Sequence, residues 1–263
     1  GLPGGLAIAT VLMCATFAAA SGVVGAVEIV VGLMAIPAMQ KYKYDGGLIA
    51  GTICAGGSLG TIIPPSIVVV IYASIAQLSI GQLFAATMLP GLLMVVFFLA
   101  YIIVRAILKP SDAPSVDRSE IDKPLAVKLT MSFKAMVPPL LLIFAVLGSL
   151  LTGAASPTEA AAVGAIGALI LAALFNELSF KNLVAALQVT IRVTAMIMLI
   201  IVGGTMFTSL FAVSGGGDLV RDLVTYFGFE KTGLIIFFLA IVFVAGFVLD
   251  WISIVLICIP IFT

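Results

Sequence analysis

Residues 56–66 read Gly56-Gly57-Ser58-Leu59-Gly60-Thr61-Ile62-Ile63-Pro64-Pro65-Ser66, at the centre of an apolar run from Gly47 to Ile80. The run is longer than the ~20 residues that one membrane-crossing helix needs. Three glycines and two adjacent prolines oppose a continuous helix, because proline has no N–H to give and its ring clashes with the preceding turn. The expectation is a transmembrane helix broken at this point, its backbone carbonyls and amides left without helical partners. Within a bilayer such groups persist only where protein or a wet cavity meets them.

Two other apolar runs also fail to fit one crossing. Gly1 to Met39 is interrupted at Ser21, Gly22 and Gly25. Limbs of ~16 residues, each a little short of a full span, suggest a re-entrant hairpin with its tip at Ser21-Gly22. Gly233 to Thr263 is apolar except for Asp250 near its middle, and reads as a second re-entrant hairpin cut off in its return limb. The chain opens on Gly1 and stops inside that run, which reads as a piece of a longer protein.

Between the hairpins, Phe84 to Leu108 is an ordinary span. The polar stretch Lys109 to Lys134 carries Lys109, Arg118, Lys123, Lys128 and Lys134, with Arg105 just before it, and the positive-inside rule places it in the cytoplasm. Met136 to Thr152 then leads outward and Pro157 to Phe175 returns. Asn176 to Lys181 forms an inner corner, and an amphipathic stretch from Leu178 to Gln188 is expected to lie along the interface. Arg192 to Ser214 crosses outward, followed by Gly215-Gly216-Gly217-Asp218 and a short amphipathic segment to Lys231. Counting from the cytoplasmic loop puts both ends of the first hairpin inside and brings the second in from outside. This is the inverted-repeat arrangement of many secondary transporters, with sites near the midplane at broken helices. The expected division is 1–108, a loop at 109–135, and a second half at 136–263.

Composition narrows the function classes. Hydrophobic residues make up 63% of the 263 and charged residues 9%, far from a soluble domain and pointing to a multi-pass protein of the lipid bilayer. Twelve Lys and Arg balance twelve Asp and Glu, so there is no basic field for nucleic acid. The absence of His removes the commonest general base and transition-metal ligand, which argues against Ser-His and metal-hydrolase chemistry. Cys14, Cys54 and Cys258 lie far apart in apolar runs and read as packing residues.

Exposed carbonyls at a hairpin tip and a helix break suit sodium, a hard cation. Ser21, Gly22 and Gly25 at the tip, with Gly57, Ser58, Gly60, Thr61 and Pro64 in the break, are the candidate cradle for sodium and substrate. Backbone ligation of the ion is expected at Ser21, Gly22, Gly57 and Gly60. Small residues also serve close helix packing, so that reading stands beside the first. Asp250 is a further binding candidate, since a carboxylate at membrane depth is costly; the alternative is a cap on the second limb. Glu28, one turn past the first tip, invites the same question. Ser156-Pro157-Thr158-Glu159 has the form of a capping box with proline at the first helical position. No cofactor is expected beyond sodium as coupling ion.

The order of motifs resembles the large membrane subunit of tripartite ATP-independent periplasmic (TRAP) transporters. The residues that carry the likeness are Gly4-Gly5, Ala19-Ala20-Ser21-Gly22, Ile36-Pro37-Ala38-Met39, Tyr44-Asp45, the 57–66 string, Ile71-Tyr72, Ser156-Pro157-Thr158-Glu159-Ala160-Ala161 and Ile259-Pro260-Ile261-Phe262. The resemblance implies an all-α, polytopic, elevator-type transporter with inverted repeats in a bacterial inner membrane. It would import an organic acid (a C4-dicarboxylate, sialic acid or similar carboxylate) with sodium. A periplasmic substrate-binding protein would deliver the acid, and a small membrane subunit would complete the transporter. Where relatives continue Ser-Gly with hydroxyl residues, this chain has Val23-Val24, which removes any hydroxyl ligand there.

Three other classes compete. A stand-alone divalent-anion/sodium symporter of the two-hairpin elevator type needs no binding protein. An aspartyl intramembrane protease would use Asp45 and Asp218, but these fall in loops expected on opposite faces, whereas the chemistry needs two facing carboxylates. A channel lacks support, because no ring of like charges or repeated pore motif appears.

Overall fold

The computed structural model describes residues 3–115, 125–228, 231–249 and 251–262. These residues are helical and form no strand. In order the helices are α1 (Gly5–Ser21), α2 (Val24–Lys41), α3 (Gly46–Ser58), α4 (Ile67–Ala76), α5 (Ile80–Leu108), α6 (Leu125–Leu151), α7 (Pro157–Leu174), α8 (Phe180–Val213), α9 (Gly216–Phe227), α10 (Lys231–Ala245) and α11 (Trp251–Phe262), with a 3-10 turn at Leu59–Thr61. Four of them, α2, α5, α7 and α8, are long and apolar enough to cross a membrane by length and composition. The chain divides into two compact units, residues 1–70 with 79–174, and residues 71–78 with 175–263.

In the first unit, α1 packs on α2, α3, α5 and the 3-10 turn. The pattern follows from helical spacing. Ala7, Val11, Cys14 and Ala18 recur every three or four residues and are buried on one stripe of α1, as are Val27, Val31, Ala35 and Met39 on α2. The opposite faces are equally apolar but outward: Leu33 of α2 is 74% exposed and Phe97 of α5 is 65% exposed. A helix apolar all round needs lipid or further protein on its outer face. Along α5, Phe84, Gly91, Val95, Ile102 and Ala106 form the buried stripe.

The helix ends are set by particular residues. Gly22 closes α1 at φ 62°, its N–H donating to the Ala18 carbonyl, a left-handed cap that glycine adopts without a Cβ penalty. The Asp45 carboxylate accepts the Leu48 N–H and starts α3. Ser156 and Glu159 form the expected reciprocal box at α7: the Ser156 N–H donates to Glu159 Oε2 at 2.7 Å, and the Glu159 N–H to Ser156 Oγ at 3.4 Å.

Several boundaries differ from the sequence reading. Helix α5 starts at Ile80, where Ser79 caps it, four residues before Phe84. Helix α6 starts at Leu125, inside the stretch expected to be connector. The expected interfacial segment at 178–188 and the span at 192–214 are one continuous α8 of 34 residues. At 1.5 Å per residue this is about 51 Å, well beyond a ~30 Å hydrocarbon core. No proline falls between Phe180 and Val213, and the Gly203-Gly204 pair does not interrupt the helix, so the polar start continues into the apolar run.

In the second unit, α8 packs on α9 and α11, and α10 on α11. Helix α10 ends at Ala245, a turn follows at 246–248, and α11 starts at Trp251. Asp250 lies outside the described residues.

Candidate functional site

The 57–66 segment breaks the helix as its composition demands. Helix α3 ends at Ser58, one 3-10 turn follows, and α4 starts only at Ile67. Local hydrogen bonds hold the intervening loop in shape. Ser58 Oγ donates to the Ala55 carbonyl, Thr61 Oγ1 to the Ser58 carbonyl, and Ser66 Oγ to the Thr61 carbonyl, each at 2.7 Å. The Ile62 and Ile63 amides both donate to the Leu59 carbonyl. Among the described residues no donor reaches the carbonyls of Gly60, Ile62, Ile63, Pro64 or Pro65. Unpaired carbonyls in an apolar surrounding are acceptors in want of a partner.

The tip of the α1–α2 hairpin is pressed against this loop. A β-carbon on Gly22 would come within 2.7 Å of the Pro65 carbonyl oxygen, and one on Gly60 would lie 3.6 Å from the backbone of Val23 and Val24. Of the nominated residues, Gly22, Gly60 and Pro64 are therefore buried where tip and break meet. Ser21 is exposed at the end of α1, its Oγ accepting the Val23 N–H at 3.4 Å. Gly25 faces open space and is not drawn in. Ser58 ends α3 and Thr61 ends the 3-10 turn, and their hydroxyl protons go to the nearby carbonyls of Ala55 and Ser58.

Gly56 and Gly57 have a packing role that the glycine-rich string alone did not separate from ligation. Gly56 receives Cys14 of α1, where a β-carbon would lie 2.6 Å from the sulfur. Gly57 receives the side chain of Glu28, whose Oε1 would be 2.8 Å from such a β-carbon. Glu28 is thus turned inward onto the last turn of α3.

A second cluster, not anticipated from the sequence, ties the opposite end of the same unit together. Arg105 of α5 pairs with Asp45 at 3.0 Å and Asp112 at 3.1 Å, and also donates to Tyr101 Oη at 3.0 Å. The Asp45 N–H donates to the Asp112 carbonyl and the Gly4 N–H to the Ala113 carbonyl. Tyr44 Oη accepts the Leu6 N–H at 3.3 Å, satisfying one free amide at the start of α1. The base of the first hairpin, the start of α3 and the end of α5 therefore meet at one end of the unit. Nearby, α1, α3 and α5 enclose a cavity of about 380 Å³ lined by Leu48, Thr52, Phe98, Tyr101, Ile102 and Arg105 among others. Thr52 Oγ1 is buried there with no hydrogen-bond partner among the described residues.

Asp45 is committed to this cap and ion pair, and Asp218 lies in the first turn of α9 in the other unit. Among the described residues no three His, Cys, Asp or Glu side chains are grouped to hold a metal.

Apolar helices with outward-facing hydrophobic side chains, a helical hairpin and a broken helix with unpaired carbonyls together describe a helical membrane transport protein. The whole chain, residues 1–263, matches the family described as "Tripartite ATP-independent periplasmic transporter, DctM component", and the protein belongs to that family. That family is one of transporter subunits, not of enzymes. It is 34% identical over 260 residues to the C4-dicarboxylate TRAP transporter large permease protein DctM of Pseudomonas aeruginosa, covering 98% of this chain and 59% of that protein. It is 29% identical to the ectoine TRAP transporter large permease protein TeaC of Halomonas elongata, covering 99% of this chain and 60% of that one. Against the isethionate TRAP transporter permease protein DctMQ of Oleidesulfovibrio alaskensis the identity is 28%, with 99% of this chain and 40% of that protein covered. The chain spans about three fifths of the length of the first two relatives.

Proposed function

We propose that this chain forms part of a sodium-coupled importer of an organic carboxylate in the bacterial inner membrane. A periplasmic binding protein delivers the substrate, and a small membrane subunit works beside the large one. The observation that carries the reading is the closure of the Gly22 tip on a loop whose carbonyls at Gly60, Ile62, Ile63, Pro64 and Pro65 have no donor among the described residues. A hard monovalent cation satisfies such carbonyls without a side-chain charge.

A carboxylate arriving at the same depth needs positive potential. Lys41, Lys43, Arg105 and Lys109 lie at or just past the ends of α2 and α5, far from the tip. The N-termini of α2 at Val24 and α4 at Ile67 flank the cradle instead, and half-helix N-termini together with bound sodium supply the missing charge. With tip and break packed together, the first hairpin and the broken helix carry their ligands as one body, the elevator motion. Helices α10 and α11 stand as the two limbs of the second re-entrant hairpin.

A C4-dicarboxylate is the first substrate to test, since relatives so named include that of Pseudomonas aeruginosa. The experiment is uptake by the full-length transporter reconstituted in liposomes, with its binding protein outside and either a sodium or a proton gradient imposed. Accumulation driven by sodium and dependent on the binding protein supports the reading. Accumulation that needs no binding protein would favour a stand-alone symporter, and accumulation driven by protons alone would refute sodium coupling.

A further inference from the structure

We propose that Glu28 is the anionic ligand of a monovalent-cation site between α2 and the last turn of α3, a site that rests on the sodium reading above and adds a side chain to it. The residue stands four positions past the start of α2, about 6 Å along the helix from Val24, so it shares the depth of the hairpin tip. Both neighbouring turns of α2 are apolar. Its side chain is directed onto Gly57, with Oε1 2.8 Å from where a β-carbon there would be and Cγ closer still. Only glycine at position 57 leaves room for it.

Nothing among the described residues compensates this carboxylate. Among the described residues Glu28 takes part in no ion pair and accepts no hydrogen bond from a side chain or a loop amide. From α1 the facing group is Cys14, within electrostatic reach of Glu28 and seated on Gly56; from α3 the facing residue is Gly57. Neither brings a positive charge. An unpaired carboxylate at membrane depth is expensive and marks a functional position. The same turn of α3 leads directly into the loop whose carbonyls lack donors. One carboxylate oxygen plus neutral carbonyl oxygens is a ligand set suited to a hard monovalent ion, whose single charge the carboxylate balances. The geometry thus assigns Gly57 the task of admitting the ligand and Glu28 the task of holding the ion near the break.

The test is binding of radioactive sodium to the purified full-length transporter, wild type and Glu28→Gln. It is paired with thermal unfolding in sodium chloride and in choline chloride at equal ionic strength. Glu28→Gln is expected to weaken sodium binding about tenfold or more, by loss of a full-charge attraction at a partly buried position. In choline it should melt at or above the wild type, because the uncompensated carboxylate is gone, and sodium should raise its melting temperature less. Equal sodium affinity in both proteins would overturn the Glu28 site while leaving sodium coupling intact. A wild type that binds no sodium would remove both. A variant that melts well below the wild type in choline would show Glu28 to be a packing residue, and a wild type stabilised by acid in place of sodium would assign the group to a proton; each result overturns the proposal.

Discussion

Gly22 stands so close to Pro65 that a β-carbon on the glycine would lie 2.7 Å from the proline carbonyl oxygen. Tip and break therefore fit only with glycine at this point, which also holds a left-handed φ of 62°. Gly22→Ala is expected to cost about 1–2 kcal/mol from backbone conformation alone, and more from the displaced loop. Thermal unfolding should show the loss, and uptake should fall with it. Gly25→Ala, three residues away in open space, is the control and should leave both unchanged.

The Arg105 cluster should contribute modestly and unequally. Side-chain exposures of 28% for Arg105 and 42% for Asp45 place the pair in the range of about 0.2–1 kcal/mol. Asp112→Ala should lose only its share of that. Asp45→Ala also removes the cap on α3 and should lose roughly 1 kcal/mol more. A double-mutant cycle on melting temperature with Arg105→Ala checks this: a coupling energy that vanishes at low salt would show the ion pair to be idle.

Thr52 offers a change in the other direction. Its buried hydroxyl has no partner among the described residues, and an unsatisfied buried polar group carries a desolvation penalty of about 1–3 kcal/mol. Thr52→Val keeps the volume and should leave stability equal or higher, whereas Thr52→Ala enlarges the existing cavity and should lower it. A Thr52→Val protein that melts earlier than the wild type would mean that the hydroxyl does have a partner in the membrane.

Topology is open to labelling. The ion-pair cluster gathers the base of the first hairpin, the start of α3 and the end of α5 at one end of the unit, and the basic residues at 109–134 assign that end to the cytoplasm. In a Cys-free background, a cysteine at Ser115 should be protected from impermeant reagents in intact cells, and one at Gly216 should react. The opposite pattern would invert the assignment.

The break at 57–66 was legible because proline and glycine act locally: a missing N–H and a missing Cβ have the same consequence in any surrounding. The Ser156–Glu159 box was legible for the same reason, all its partners lying within four residues. What depends on distant partners was not. Arg105 and Asp45 are 60 positions apart, and no spacing announces that they meet. Gly57 looked like a backbone ligand because sequence cannot show that Glu28, on another helix, fills the space above it. The full length of α8 was missed because a polar first third suggested an interfacial helix, while no proline stands between Phe180 and Val213 to end the helix and the Gly203-Gly204 pair leaves it unbroken.

The central claim is that one cradle, formed by the Gly22 tip and the 57–66 break, holds sodium and the carboxylate together. It is tested most directly by measuring substrate affinity of the reconstituted full-length transporter with and without sodium, and sodium affinity with and without substrate. Linkage requires the two ratios to be equal, and shared occupancy of one cradle requires both to exceed one, with Gly22→Leu abolishing both bindings at once. Substrate affinity that is the same in sodium and in choline would contradict the account.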